Sequence, residues 1–174
     1  MLFRSDNGDT LIAREALSLL RQRLLGVSAA LQAFILRNAN LPTLGYTHFQ
    51  PAQPTTVGKR ATLWAQDLIF DLHDLDHLLE TLPLRGLKGA TGTQASFVEL
   101  FRGDKGKAQE LENLFSQRLG VPSITVSGQT STRKLEDRIG HVLCGIASSA
   151  SKFANDVRLL QHMREIEEPF SKIG

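Results

Sequence analysis

A chain of 174 residues with 41% hydrophobic content has room for one domain with a real core. Its 20 Lys+Arg against 18 Asp+Glu leave a net charge of +2, which is too small and too dispersed for a nucleic-acid surface or a membrane-binding face. One cysteine, Cys144, excludes an internal disulfide and fits a reducing cytosol, and its place in a helical apolar pattern predicts a buried structural thiol.

The opening Met1-Leu2-Phe3-Arg4-Ser5 is too short and too soon polar for a signal peptide. No run of ~18 apolar residues reads as a membrane span, so the expected location is the cytoplasm, with no membrane or nucleic-acid partner. From about Asp9 to Asn38, Leu17, Leu20, Leu24, Val27, Leu31 and Phe34 recur at alternating steps of three and four, the stripe of a long helix. Gly26 inside it costs only ~1 kcal/mol against alanine.

Leu44 to Gly58 then spends two prolines, two glutamines, three threonines and one histidine on a stretch that neither a helix nor a linker needs. Pro51 and Pro54 fix φ and remove N–H donors, which predicts a rigid turn around His48. Histidine suits proton transfer near neutral pH, and Thr47 and Gln50 place a hydroxyl and an amide beside it. The residues alone leave two readings open: a site histidine, or a loop histidine bonded to a neighbouring carbonyl.

A second helix is expected from about Thr55 to Leu82, capped by Thr55 or Thr56 and carrying Trp64, Leu68, Leu72, Leu75 and Leu79. On it His73 and His77 stand four apart, but Asp71, Asp74 and Asp76 spread over several directions. A solvated acidic face is the better reading, and no metal site is expected.

Pro83 stops that helix, and Arg85 to Gln94 sets three glycines among Lys88, Thr91 and Thr93. Such a loop either brings backbone N–H groups, charge and hydroxyls up to a carboxylate or phosphate, or is a flexible connection. No Gly-Lys-Ser/Thr closes it, so it is not a Walker A loop. Phe97 to Phe101 predicts a short helical turn, Arg102 to Gly106 a break, and Lys107 to Leu119 an amphipathic helix ended by Gly120 and Pro122.

Ser123 to Ser127 is β-like but too short without a partner, hence an extended loop. Gly128-Gln129-Thr130-Ser131-Thr132 leads into the last helix, whose N-terminal N–H groups suit an anionic or polar ligand; alternatively Ser131 or Thr132 caps it and Gln129 is surface. That helix, about Ser131 to Glu167, carries Leu135, Ile139, Val142, Ile146, Ala150, Phe153, Val157 and Leu160, with a small-residue centre from Gly145 to Ser151. So long a stripe predicts bundle packing and intersubunit contact.

Five runs, taken together, resemble the adenylosuccinate lyases of the fumarase and aspartase superfamily. They are Leu41 to Gly45 with Thr47-His48-Phe49-Gln50-Pro51-Ala52-Gln53 and Thr55 to Arg60; Gly86 to Phe97; Gly128-Gln129-Thr130; Asp156 to Leu160; and Glu167-Glu168-Pro169-Phe170. Asp6-Asn7-Gly8-Asp9 resembles the opening of an internal helix of the same family. The order and spacing cover nearly all of the chain.

The fold class expected is all-α, a long antiparallel helix bundle, with residues 1–174 as a single helical domain, the central portion of a longer subunit. The resemblance implies elimination of fumarate from adenylosuccinate, leaving AMP, and from succinylaminoimidazole carboxamide ribotide, a C–N lyase reaction of purine biosynthesis without a cofactor. It puts His48 on the catalytic histidine, as general acid, and Thr47 and Gln129 on substrate-binding positions. It also implies a homotetramer with each active site built from several subunits. The family's base, a serine in a Ser-Ser-x-Met-Pro-Tyr-Lys-Arg-Asn-Pro loop, would follow Ile173-Gly174, so the chain alone is expected to be incomplete for catalysis. The alternatives are a sister enzyme, such as an argininosuccinate lyase or fumarase, and a non-catalytic helical interaction fragment. Thr-His-Phe-Gln-Pro-Ala-Gln with Lys-Gly-Ala-Thr-Gly-Thr-Gln argues against the first, and a scaffold has no need of His48 and Gln129.

Overall fold

The computed structural model describes residues 5–167. The signal-peptide reading of the first residues, the Glu168-Pro169-Phe170 part of the last motif and the Ile173-Gly174 end lie outside them. The order is α1 (Ser5–Arg37), β1 (Pro42–Thr47), β2 (Gln50–Thr56), α2 (Val57–Thr81), α3 (Ala95–Leu100), α4 (Lys105–Leu119) and α5 (Arg133–His162). The predicted helices are therefore all present, within a few residues at each end, and the class is all-α.

One local expectation is corrected. The stretch read as a rigid loop is an antiparallel hairpin, with Thr43 opposite Thr55, Gly45 opposite Gln53 and Thr47 opposite Gln50. The register shifts between Gly45 and Tyr46, where Ala52 is left over as a bulge. Prolines are tolerated here because a two-stranded ribbon has free edges that need no donor. The segment read as β-like, Ser123 onward, makes one parallel bridge to Leu84 and stays extended.

The chain divides into two compact units, residues 1–20 with 76–140 and residues 21–75 with 141–174. In the first unit, Leu17, Leu78, Leu82, Leu84, Ala108, Val121 and Leu135 form the buried apolar set. Arg14 donates to the carbonyls of Leu79 (2.6 Å) and Leu82 (3.0 Å), satisfying free acceptors at the end of α2. Asn7 exchanges two hydrogen bonds with the backbone of Gly86, at 3.0 and 3.2 Å. Asp104 caps α4 by accepting from the Lys107 N–H, and Gly120 ends it in the left-handed region at φ 64°.

In the second unit, Thr56 caps α2 as expected, accepting from the Lys59 N–H at 3.0 Å. Gly58 lets α2 start against the end of α1: a Cβ there would stand 2.7 Å from both Ala39 Cα and the Ile35 carbonyl oxygen. Leu24, Ala61, Leu75 and Leu160 are buried, but Leu25, Val27, Phe34, Leu63, Ile69, Phe70, Leu143, Phe153 and Leu159 are exposed.

Three further expectations change. Asp71 does not belong to a solvated face: it is 7% exposed, because on α2 it falls on the same stripe as Leu75, Leu78 and Leu82. His73, Asp74, His77 and Glu80 are exposed. Cys144 is exposed rather than buried, since the part of the α5 stripe around it is uncovered in this chain. Finally, α1 comes nearer to a membrane span than expected. It has an 18-residue window of mean hydropathy 1.2, 6% buried, that qualifies by length and composition alone.

Candidate functional site

His48 and Phe49 are the two central residues of the hairpin turn, between the paired Thr47 and Gln50. Both have positive φ, 52° and 57°. A two-residue turn that follows the twist of its strands requires this, and asparagine and glycine normally supply it. A histidine and a phenylalanine there cost roughly 1–2 kcal/mol each, strain that persists only where the surroundings over-determine it. Thr47, His48, Phe49 and Gln50 are all exposed, so nothing in this unit packs over the turn.

The first strand of the hairpin is tied down, from near its start to near the turn, by a cluster the sequence reading missed. Glu165, just after α5, accepts from the Thr43 hydroxyl at 2.6 Å and from the Tyr46 phenol at 3.0 Å. Arg60, in the first turns of α2, lies 3.4 Å from the same carboxylate and donates to the Leu44 carbonyl (2.7 Å) and to Thr43 Oγ1 (3.1 Å). Hydrogen bonds from Thr43 and Tyr46 hold the Glu165 carboxyl below the usual carboxylate range, with Arg60 helping against desolvation. Donation to Glu165 in turn pushes the Tyr46 phenol above its ordinary value.

Beside the hairpin opens a cleft of about 720 Å³ lined by Thr47, Gln53, Lys59, Arg60, Trp64 and Asp156 among others. The Trp64 indole donates to Asp156 at 2.8 Å and meets Phe153 edge to face, with centroids 5.0 Å apart. Lys152 lies 3.2 Å from Asp67 and 3.5 Å from Asp156. Desolvation works against its charge, but the two carboxylates outweigh that and hold the ammonium above its ordinary value.

The structure thus joins Thr47 and His48 on one hairpin of the second unit, while Gln129 belongs to the first. There Gln129 is exposed between two anchored neighbours: Arg85 donates to the Gly128 carbonyl at 2.8 Å, and the Ser131 N–H donates to Asp6. The glycine-rich loop is not free to offer Lys88 to a ligand. Lys88 is 8% exposed and pairs at 2.6 Å with the buried Glu112, which also accepts from Gln94 at 2.7 Å. Arg85 holds the Gly89 carbonyl at 2.7 Å. Gly92, at φ 82°, is where the loop touches its neighbour: a Cβ would stand 1.8 Å from the Ser127 carbonyl oxygen. Thr91 and Thr93 remain exposed.

A family model described as lyase matches residues 8–173. The chain belongs to that lyase family. Among curated relatives, this lyase chain is 45% identical over 169 residues to the adenylosuccinate lyase of Schizosaccharomyces pombe, covering 97% of the chain and 35% of the relative. It is 43% identical over 171 residues to the adenylosuccinate lyase of Saccharomyces cerevisiae, covering 98% of the chain and 36% of the relative. The lyase chain therefore spans about a third of the length of these relatives.

Among solved structures, it superposes on 3-carboxy-cis,cis-muconate lactonizing enzyme from Pseudomonas putida with a TM-score of 0.76 and 26% identity, covering 89% of the chain and 34% of that structure. It superposes on fumarate lyase from Mesorhizobium sp. BNC1 with a TM-score of 0.74 and 24% identity, covering 90% and 35%. The lyase chain shares the helical fold of these solved structures. The signal for Arg60 was present in the sequence, in the Thr55 to Arg60 run that carries the resemblance, whereas Glu165 lay just outside every motif.

Proposed function

We propose that residues 1–174 are the central helical portion of an adenylosuccinate lyase subunit. The full protein would be a cytoplasmic homotetramer that needs no cofactor and makes AMP and fumarate from adenylosuccinate. The same subunit would act on succinylaminoimidazole carboxamide ribotide. The reaction removes a proton beside a carboxylate, breaks a C–N bond and forms the C=C bond of fumarate. The departing ring-attached nitrogen leaves poorly unless protonated, so an acid and a base must cooperate.

His48 is the acid toward that nitrogen, and Thr47 and Gln129 bind substrate. Donors around the carboxylate stabilise the carbanion-like intermediate, and the base comes from outside residues 1–174. The observation that carries this reading is the strained, exposed turn that presents His48 and fills no core position. Likeness along nearly the whole chain to relatives named adenylosuccinate lyase supports the substrate. The uncovered apolar faces of α1, α2 and α5 support assembly with further copies, and so do not require a membrane.

In the full-length subunit, His48→Gln should leave the melting temperature and assembly unchanged and lower kcat about 10² to 10⁴-fold, with KM changing far less. Normal turnover of a destabilised variant would make His48 structural. Offering adenylosuccinate, argininosuccinate and malate to the unmodified enzyme separates the proposed activity from a sister one.

A further inference from the structure

Resting on the reading that His48 is the general acid, we infer that Glu165 is the positioning residue for the turn that carries it, acting through Thr43 and Tyr46. The turn has no packing of its own: His48 is exposed and Phe49 is 74% exposed. Yet it holds two non-glycine residues at positive φ, a cost that the strand pairing up to Thr47 and Gln50 has to sustain. The constraint has to reach it along the strands.

Two of the side chains that fasten β1 lie five and two residues before His48, and both end on one carboxylate. Thr43 donates to Oε2 of Glu165 and Tyr46 to Oε1, so each oxygen fixes a different point of the strand. Two anchors on one strand set its direction, where one would leave a pivot. The Ala52 bulge, which bends the ribbon, falls between the two anchors: Thr43 stands on the base side of the bend and Tyr46 on the tip side, so the one carboxylate fixes the angle at which the tip leaves the base. Arg60 bonds independently to the Leu44 carbonyl and Thr43 Oγ1. Without Glu165 the hairpin therefore stays attached but loses its heading. Displacement of a catalytic group by about 1 Å can cost ~10²-fold in rate.

The test is a double-mutant cycle in the full-length enzyme, reading kcat and KM for wild type, Glu165→Ala, His48→Gln and the double variant. A positioning role predicts that Glu165→Ala lowers kcat about tenfold or more with KM within about threefold, and that Glu165→Gln, which keeps an acceptor, recovers part of the loss. In the His48→Gln background the same substitution should cost less than about twofold, because its effect passes through the imidazole. An equal factor in both backgrounds, or an unchanged kcat, overturns the inference. Should Glu165→Ala not fold, Tyr46→Phe, which removes one anchor alone, goes through the same cycle with the same criteria at a smaller effect. If His48→Gln by itself keeps the wild-type rate, the general-acid reading has failed, which that single variant shows independently of Glu165.

Discussion

The loop at 85–94 in the first unit is fastened from within, by Arg85, by the buried Lys88–Glu112 pair and by Gln94. The hairpin of the second unit is fastened along β1 by Glu165 and Arg60, and its turn stands in solvent with strained backbone. The first unit buries Leu17, Leu78, Leu82, Leu84 and Leu135 but exposes Leu19, Leu100 and Leu114, while the second leaves the aromatic rings of Phe34, Phe70 and Phe153 exposed along with Leu63. A loop whose charged side chains are engaged by partners in its own unit reports how that unit folds. A region that leaves strain and apolar surface uncovered reports what it is meant to meet.

The largest effect that would sharpen this contrast lies in the first unit. Glu112→Ala leaves the Lys88 ammonium buried without its partner, a change that typically costs about 3–5 kcal/mol, and denaturant unfolding should show a loss of that order. Replacing both with apolar residues, Lys88→Met with Glu112→Leu, should recover much of it. A loss below about 1 kcal/mol for Glu112→Ala would mean that the loop is held some other way.

In the second unit the sign reverses. Phe49→Gly relieves roughly 1–2 kcal/mol of left-handed strain and adds about 0.5–1 kcal/mol of unfolded-chain entropy, so a net gain of up to about 1.5 kcal/mol is expected in thermal unfolding. A clear loss would show that the phenylalanine ring is needed for stability.

The smallest effect is spectroscopic. Tyr46 is the single tyrosine of the sequence, so the ultraviolet titration of the 174-residue chain reports one phenol. Its midpoint should lie above the ordinary value near 10 and fall back toward it in Glu165→Gln. The linkage has two ends. Glu165 has a lowered folded pKa, so its contribution is present above the ordinary carboxylate range and is lost as pH falls through the lowered value. Tyr46 has a raised one, so its contribution is present below about 10 and is lost as pH rises through the raised value. Between those limits the anchoring of the hairpin should not vary.

The same contrast explains what the sequence disclosed. Stripes and stops gave the helices: Leu17 to Phe34 for α1, Gly120 with Pro122 for the end of α4, and Thr56 for the start of α2 all act within a few residues of themselves. The hairpin was hidden because His48-Phe49 lacks the Asn-Gly signature and its strands contain prolines. The pairing of Lys88 with Glu112, and of Tyr46 with Glu165, depends on residues far apart in the chain, which local pattern cannot supply. Periodicity marked the α5 stripe as apolar, but not whether this chain covers it, and so Cys144 was placed inside. Asp71 shows the converse, a charged residue on an apolar stripe that composition made look solvated.

Trp64 is the one tryptophan in the sequence, and it lines the same cleft as Thr47. Its indole N–H is engaged by a carboxylate, and its ring meets Phe153 in a T-shaped pair. Indole emission responds to the polarity and charge around the ring, so these residues carry a built-in optical reporter beside the hairpin. Whatever enters the cleft, or displaces Asp156, would be seen as a change in fluorescence without any label being attached.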